Sequence, residues 1–148
     1  MYKKIFVSID KTRAATKILH EAIDIAKSSG ATLRVVHIVN VQIPGFGVPM
    51  FGMTDINEAV FRDRNKFIGR LKAILTKEKV EGQVELLKDF GTGLADIISK
   101  DAKEFGADLI VLSASHLGSL KHLITGGVAE KLAHITDIPI MLITKHKL

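Results

Sequence analysis

The chain has 148 residues, of which 47% are hydrophobic and 25% charged, with no cysteine and a formal net charge of +5. That length favours one domain over residues 1–148, able to bury about 68–70% of the surface its unfolded chain exposes, and the composition excludes a disordered chain. Disulfides and thiolate metal sites are excluded too, and no apolar run approaches the ~18 residues of a membrane span.

Met1-Tyr2-Lys3-Lys4-Ile5 leads straight into an apolar stretch with no signal peptide, so a soluble cytoplasmic protein without membrane contact is expected. The positive charge does not point to nucleic acid. Lysines are scattered through every segment, only Lys145-His146-Lys147 clusters, and aromatic residues make up 5% of the chain. Base-stacking surfaces need aromatics beside their basic groups.

Lys3 to Ile9 is apolar and β-branched without alternation, which predicts a central strand of a parallel sheet, ending at Asp10. Thr12 to Ser29 has helical spacing, with Ala15, Ile18, Leu19, Ala22, Ile25 and Ala26 on one face, Thr12 as N-cap and Gly30 as the stop. Leu33 to Val39 is a second buried strand. Asn40 to Met53 holds Pro44, Pro49 and several glycines and reads as a long loop, either a surface connection or a flap with Phe46, Met50 and Phe51 as apolar contacts.

A long helix follows from Thr54 or Asp55 to about Lys79. Asp55 and Glu58 stand at capping-box spacing, Val60, Phe67, Leu71, Ile74 and Leu75 face inward, and the Arg62–Arg70 charges form a solvated face. Gln83 to Lys88 is a less apolar strand suited to a sheet edge. After the Gly91-Thr92-Gly93 turn come a helix closed by Gly106, a strand over Leu109–Ser113, a helix over Gly127–Ile135 and a last strand over Ile140–Thr144. Alternation of this kind predicts a single-domain α/β protein of three layers, with a parallel sheet between helices.

The stretch Asp108 to Val128 carries the candidate site. A buried strand runs into a small-residue loop and then Gly126-Gly127 before a helix. Ligands of parallel sheets sit outside strand C-terminal ends, and a helix N-terminus offers unpaired N–H groups to an anion. Ser113, Ser115 and His116 do not read as a catalytic pair, because no acid at suitable spacing orients them. His116 and His122 have no metal-binding spacing. His37, inside a strand, reads as a hydrogen-bonded structural histidine. Asp10 after the first strand is either a cap for the following helix or a ligand contact.

Taken together, the element order, the Ile9-Asp10 strand end and the segments Asp108–Val111, Gly126–Leu132 and Ile138–Ile143 resemble the universal stress protein family over the whole chain. The resemblance implies a five-stranded parallel sheet in the order 3-2-1-4-5, a Rossmann-like fold of the adenine-nucleotide α-hydrolase type. It also implies a homodimer whose last strands, Ile140 to Thr144, pair across a two-fold axis. ATP-binding members carry Gly, two residues, Gly, nine residues, Gly, then Ser or Thr. This chain keeps the spacing with Ser113 at the first glycine, His116 at the second, Leu117 to Thr125 between, Gly126 at the third and Gly127 in place of the hydroxyl residue. By the same resemblance Asp10 meets the ribose and adenine end, Ile38 touches the base, and the helix opened by Gly126 and Gly127 offers its N–H groups to the phosphates. Ser8 replaces the proline or similar residue that often stands two positions before the aspartate.

If positions 113 or 116 need a left-handed backbone, a side chain there costs ~1–3 kcal/mol. A lost hydroxyl at 127 removes a charged hydrogen bond worth ~1.5–3 kcal/mol. The expectation is therefore a non-catalytic stress-response module with weak or no ATP binding. The alternatives are a sensor that still takes ATP or another adenine nucleotide through Asp10, Ile38, Ser113, His116, Gly126, Gly127 and Val128, and a slow ATPase, for which no metal-holding carboxylate is evident.

Overall fold

The computed structural model describes residues 1–41, 53–113 and 127–144, leaving the side chains of residues 53–55 aside. Strands and helices alternate: β1 (Lys4–Ser8), α1 (Ala15–Ser29), β2 (Thr32–Asn40), α2 (Met53–Glu78), β3 (Gly82–Asp89), α3 (Leu94–Phe105), β4 (Leu109–Ser113), α4 (Val128–Ile135) and β5 (Ile140–Ile143). The sheet runs β3-β2-β1-β4-β5 and every neighbouring pair is parallel, as expected.

Successive strand residues point to opposite faces, so strands without polar alternation need cover on both sides. Here α1 and α2 pack over Ile5, Val7, Leu33, Val35, Leu109 and Val111. On the other face α3 and α4 pack over Phe6, Val36, Ile110 and Leu112. Between them the central strand β1 is sealed: Ile5, Phe6 and Val7 have no exposed surface.

Three local expectations change. α1 begins at Ala15, with Ala14 rather than Thr12 at its N-cap position and no side-chain cap. The Thr12 hydroxyl donates to Asp10 Oδ1 at 2.9 Å instead, while its carbonyl accepts from the Ala15 N–H at 3.1 Å. Such local side-chain bonds compete with helix initiation. The buried stripe of α1 contains Ile23 and leaves Ile25 half-buried. Residues 15, 18, 19, 22, 23 and 26 keep the regular helical spacing that Ile25 breaks. In α2 the core contacts are Phe67, Ile68, Leu71 and Leu75, whereas Val60 is only half-buried. The suggested flap residues Phe46, Met50 and Phe51, the tail lysines, and the capping role of Asp55 lie outside the described residues or side chains.

Helix ends show how the chain turns back. Gly30 and Gly106 are left-handed, and the next amides reach back to the Ala26 and Ala102 carbonyls. α2 closes in the same way on Lys79, whose φ is 56°, with the Val80 N–H donating to the Leu75 carbonyl at 3.2 Å. A side chain in that position crowds the backbone, and glycine does not.

β3 lies at one sheet edge, as its polar character suggests, and is tied down by Arg34 of β2. Arg34 is 9% exposed. Its Nε and Nη2 donate to the Asp101 carboxylate of α3 at 2.6 and 3.0 Å, and its remaining N–H groups reach Gln83 and Glu85 of β3 at 3.0–3.3 Å. All five guanidinium donors are thus used. The Asp101 hydrogen bond, opposed by burial and reinforced by Glu85, raises the Arg34 pKa, and the Arg34 hydrogen bond lowers that of Glu85.

Replacing Lys79 by glycine is expected to raise the free energy of unfolding by about 0.5–1 kcal/mol, because relief of left-handed crowding exceeds the added chain entropy. Urea denaturation of the two chains checks this; a lower midpoint for Lys79→Gly refutes it.

Candidate functional site

Strand connectivity fixes where a crevice opens. From β1 the chain moves to β2 on one side, and β4 leads to β5 on the other, so the direction of winding reverses between β1 and β4. Crevices of parallel sheets form at such a switch, outside the strand C-terminal ends. The residues there are Ser8 to Asp10 of the β1 end, His37 to Asn40 of β2, Ser113 of β4 and the start of α4.

Five of the seven expected site residues fall in this region. Asp10 lies just beyond β1, half-buried, with Oδ1 accepting the Thr12 hydroxyl. Ile38 is half-buried and packs against the α3/α4 cluster. Ser113 ends β4 with no exposed surface, in register with Ile143 of β5. Gly127 occupies the N-cap position of α4 and Val128 its first turn. Because β4 and β5 are parallel, α4 leads back toward the start of β5, and its first turn belongs to the end where the strands finish. His116 and Gly126 lie outside the described residues, as do Ser115, Lys121 and His122.

Backbone geometry revises the expected cost of the substitutions. Ser113 has no left-handed backbone, so the strain foreseen for a side chain there does not arise. Gly127 has φ −63° and ψ 176°, extended backbone that any residue adopts. Its carbonyl accepts the Lys131 N–H at 3.1 Å, and no side chain caps the helix. This is the geometry in which a Ser or Thr hydroxyl normally satisfies a first-turn N–H. What the chain lacks at position 127 is therefore a hydroxyl, not a backbone that would accept one.

His37 is buried, as foreseen, but its neighbours give it more than a packing role. The imidazole meets the Phe67 ring edge-on, with centroids 5.1 Å apart and planes at 83°. Its Nδ1 lies 2.7 Å from the Ile9 carbonyl oxygen. A carbonyl only accepts, so Nδ1 carries the proton and donates. Nε2 is then a buried acceptor, without a hydrogen-bond partner among the described residues, as is the Arg64 Nε donor. Burial lowers the His37 pKa below 6.5, the Ile9 bond opposes this, Arg64 and Lys11 lower it further and Asp10 works against them. Close by, Lys11 donates to Asp63 of α2 and holds that carboxylate below its ordinary range.

Sequence reasoning missed the Arg34 cluster and the role of Asp89. A lone charge in an apolar strand is a signal, since a buried guanidinium demands partners. Asp89 is 6% exposed, and its Oδ1 accepts the Gly91 and Gly93 N–H groups at 2.8 and 3.2 Å, shaping the turn into α3. Among the described residues no three His, Asp or Glu side chains come together as a metal set, and no helix is long and apolar enough to cross a membrane.

The sequence profile of the universal stress protein family matches residues 1–144. The chain belongs to the universal stress protein family. It is 26% identical to the stress response protein NhaX of Bacillus subtilis, over 95% of this chain and 96% of that protein. A universal stress protein family member from Burkholderia pseudomallei has the same fold, with a TM-score of 0.75 and 25% identity over 96% of each chain. The universal stress protein of Archaeoglobus fulgidus, solved in complex with dAMP, matches at a TM-score of 0.63 and 25% identity, covering 96% of this chain and 98% of that one. This family member therefore has the fold its strand order implied.

The lowered His37 pKa carries a sign. The fold favours neutral His37, so its contribution to stability is complete above about pH 6.5 and is lost as pH falls from there through the folded-state pKa. Denaturant unfolding between about pH 7 and 5 is expected to show this loss, and His37→Asn to remove part of it. An unchanged slope in the variant would contradict the assignment.

Proposed function

We propose that this universal stress protein is a non-catalytic, cytoplasmic stress-response module whose strand-end crevice takes an adenine nucleotide, with the triphosphate held weakly. The observation that carries the reading is the convergence of Asp10, Ile38, Ser113, Gly127 and Val128 at the switch between β1 and β4. Asp10 offers a carboxylate to ribose hydroxyls, Ile38 and Val128 offer apolar contact to a base, and the amides opening α4 offer donors to one phosphate. The dAMP complex of the Archaeoglobus fulgidus protein supports a ligand with a single phosphate. Weak triphosphate binding follows from Gly127, which supplies no hydroxyl hydrogen bond, and from His116 at a motif glycine.

Calorimetry with AMP, and with ATP and magnesium, tests the reading. AMP is expected to bind and ATP to bind no more than about threefold tighter. Low-micromolar ATP binding more than about tenfold tighter than AMP would sink the weak-triphosphate part. Asp10→Ala is expected to weaken AMP about tenfold or more, and Gly127→Ser to strengthen ATP by about tenfold, the effect of one hydrogen bond to a charged group. Phosphate release above the buffer blank would contradict the non-catalytic assignment.

The family homodimer belongs to the same proposal. β5 is the sheet edge opposite β3, and along it Ile140, Met141 and Ile143 are half-buried while Leu142 is 39% exposed. An apolar edge of this kind favours strand pairing with a second copy. Light scattering is expected to give a dimer that Leu142→Lys dissociates; a wild-type monomer at high concentration would refute it.

A further inference from the structure

We propose that His37 is a positioning residue for the crevice: its ring, held against Phe67, grips the Ile9 carbonyl and thereby sets the peptide that carries Asp10. The inference rests on the reading that Asp10 meets the ligand, and it adds what orients Asp10 and what releases it.

The β1–β2 ladder shows why a side chain is needed. Backbone pairing continues one residue past β1, where the Ile9 N–H donates to the Val36 carbonyl at 2.9 Å. The next group on that edge, the Ile9 carbonyl, takes its hydrogen bond from His37 Nδ1 at 2.7 Å. The ring spans the point where the chain leaves the sheet, and Asp10 is the residue immediately beyond.

The ring's surroundings leave it one working orientation. It is 4% exposed, it meets Phe67 edge-on, and Leu86 of β3 stands opposite His37 in register. Its other nitrogen contributes nothing: Nε2 has no partner among the described residues. Burying an unpaired lone pair is unfavourable, and an apolar side chain would avoid it. The position therefore serves the Nδ1 side, the side that faces Ile9.

The arrangement makes Asp10 responsive to protons without contact between His37 and ligand. A proton on Nε2 would create a buried donor lacking an acceptor among the described residues. The charged groups around it are Arg64 of α2 and Lys11 after β1, which oppose the imidazolium, and Asp10, which favours it. Acid therefore drives the ring from its seat, frees the Ile9 carbonyl and loosens the turn that holds Asp10.

Nitrogen-edited NMR titration of the unliganded chain is the first test. The expected result is the Nδ1–H tautomer at neutral pH, with the Asp10 amide shift following the His37 ring at one midpoint. An Nε2–H tautomer, or an Asp10 amide that ignores the ring, overturns the proposal whether or not nucleotide binds. AMP calorimetry on variants is the second. His37→Asn places an amide N–H at the same bond count from the backbone. It is expected to keep affinity within about threefold and to lose the pH dependence between about pH 5 and 7. His37→Phe, which fills the space without a donor, is expected to weaken AMP by about tenfold or more. Equal affinity in the Asn and Phe variants overturns the positioning role. A wild-type chain that binds no AMP would remove the proposed ligand and leave the NMR result to decide the inference.

Discussion

The structure depends on one constraint, the complete enclosure of β1. Ile5, Phe6 and Val7 have no contact with solvent, and β1 is bonded to β2 on one side and β4 on the other. Each of its backbone groups must be matched by a neighbouring strand, because an unmatched polar group in that interior is strongly unfavourable. The strand can end only where partners for its last amide and carbonyl exist. Val36 supplies one and the His37 side chain supplies the other. The crevice begins where that matching stops.

The same constraint divides labour across the sheet. One face carries α1 and α2 and holds His37 and Phe67. The other carries α3 and α4 and holds Ile38 and the Arg34 cluster. Asp10 lies where the two faces meet, beyond the strand that separates them. A group on the α2 side can therefore influence a ligand lying toward α4 by acting on the backbone between, with no side chain crossing the sheet.

Much of this was readable in the sequence, for a physical reason. Unalternating apolar runs such as Ile5–Val7 and Leu109–Leu112 imply strands covered on two faces, and the polar Gln83–Lys88 run implies an edge. Pattern failed where a single side chain had two uses. Thr12 looks like a cap by type and position, but Asp10 lies within reach of its hydroxyl. Ile25 and Ile23 differ only in helical phase, which packing decides. Lys79 closes a helix in a backbone form that composition assigns to glycine. In the site, the family resemblance pointed to Asp10 and Ile38 and the motif spacing to Ser113 and Gly127, and the strand order puts these strand ends and the start of α4 in one region. Spacing did not reveal that Ser113 has an ordinary backbone, so the strain considered for a side chain there does not arise. Nor did it show which ring nitrogen of His37 would be satisfied, since that depends on a carbonyl 28 positions earlier in the chain.

The Arg34 cluster has a consequence for behaviour in concentrated electrolyte. The ion pairs Lys27–Glu78 and Lys11–Asp63 sit among solvent-accessible side chains, 29–52% exposed, where mobile ions shield them. The guanidinium of Arg34 and the carboxylate of Asp101 are 10% and 18% exposed, which keeps most counterions at a distance. Brine would thus weaken the charges on the outside of the helices, and the half-exposed Glu85 arm toward β3 with them, while leaving β2 and α3 fastened through Arg34 and Asp101. The seam between β2 and α3 would be the halotolerant one.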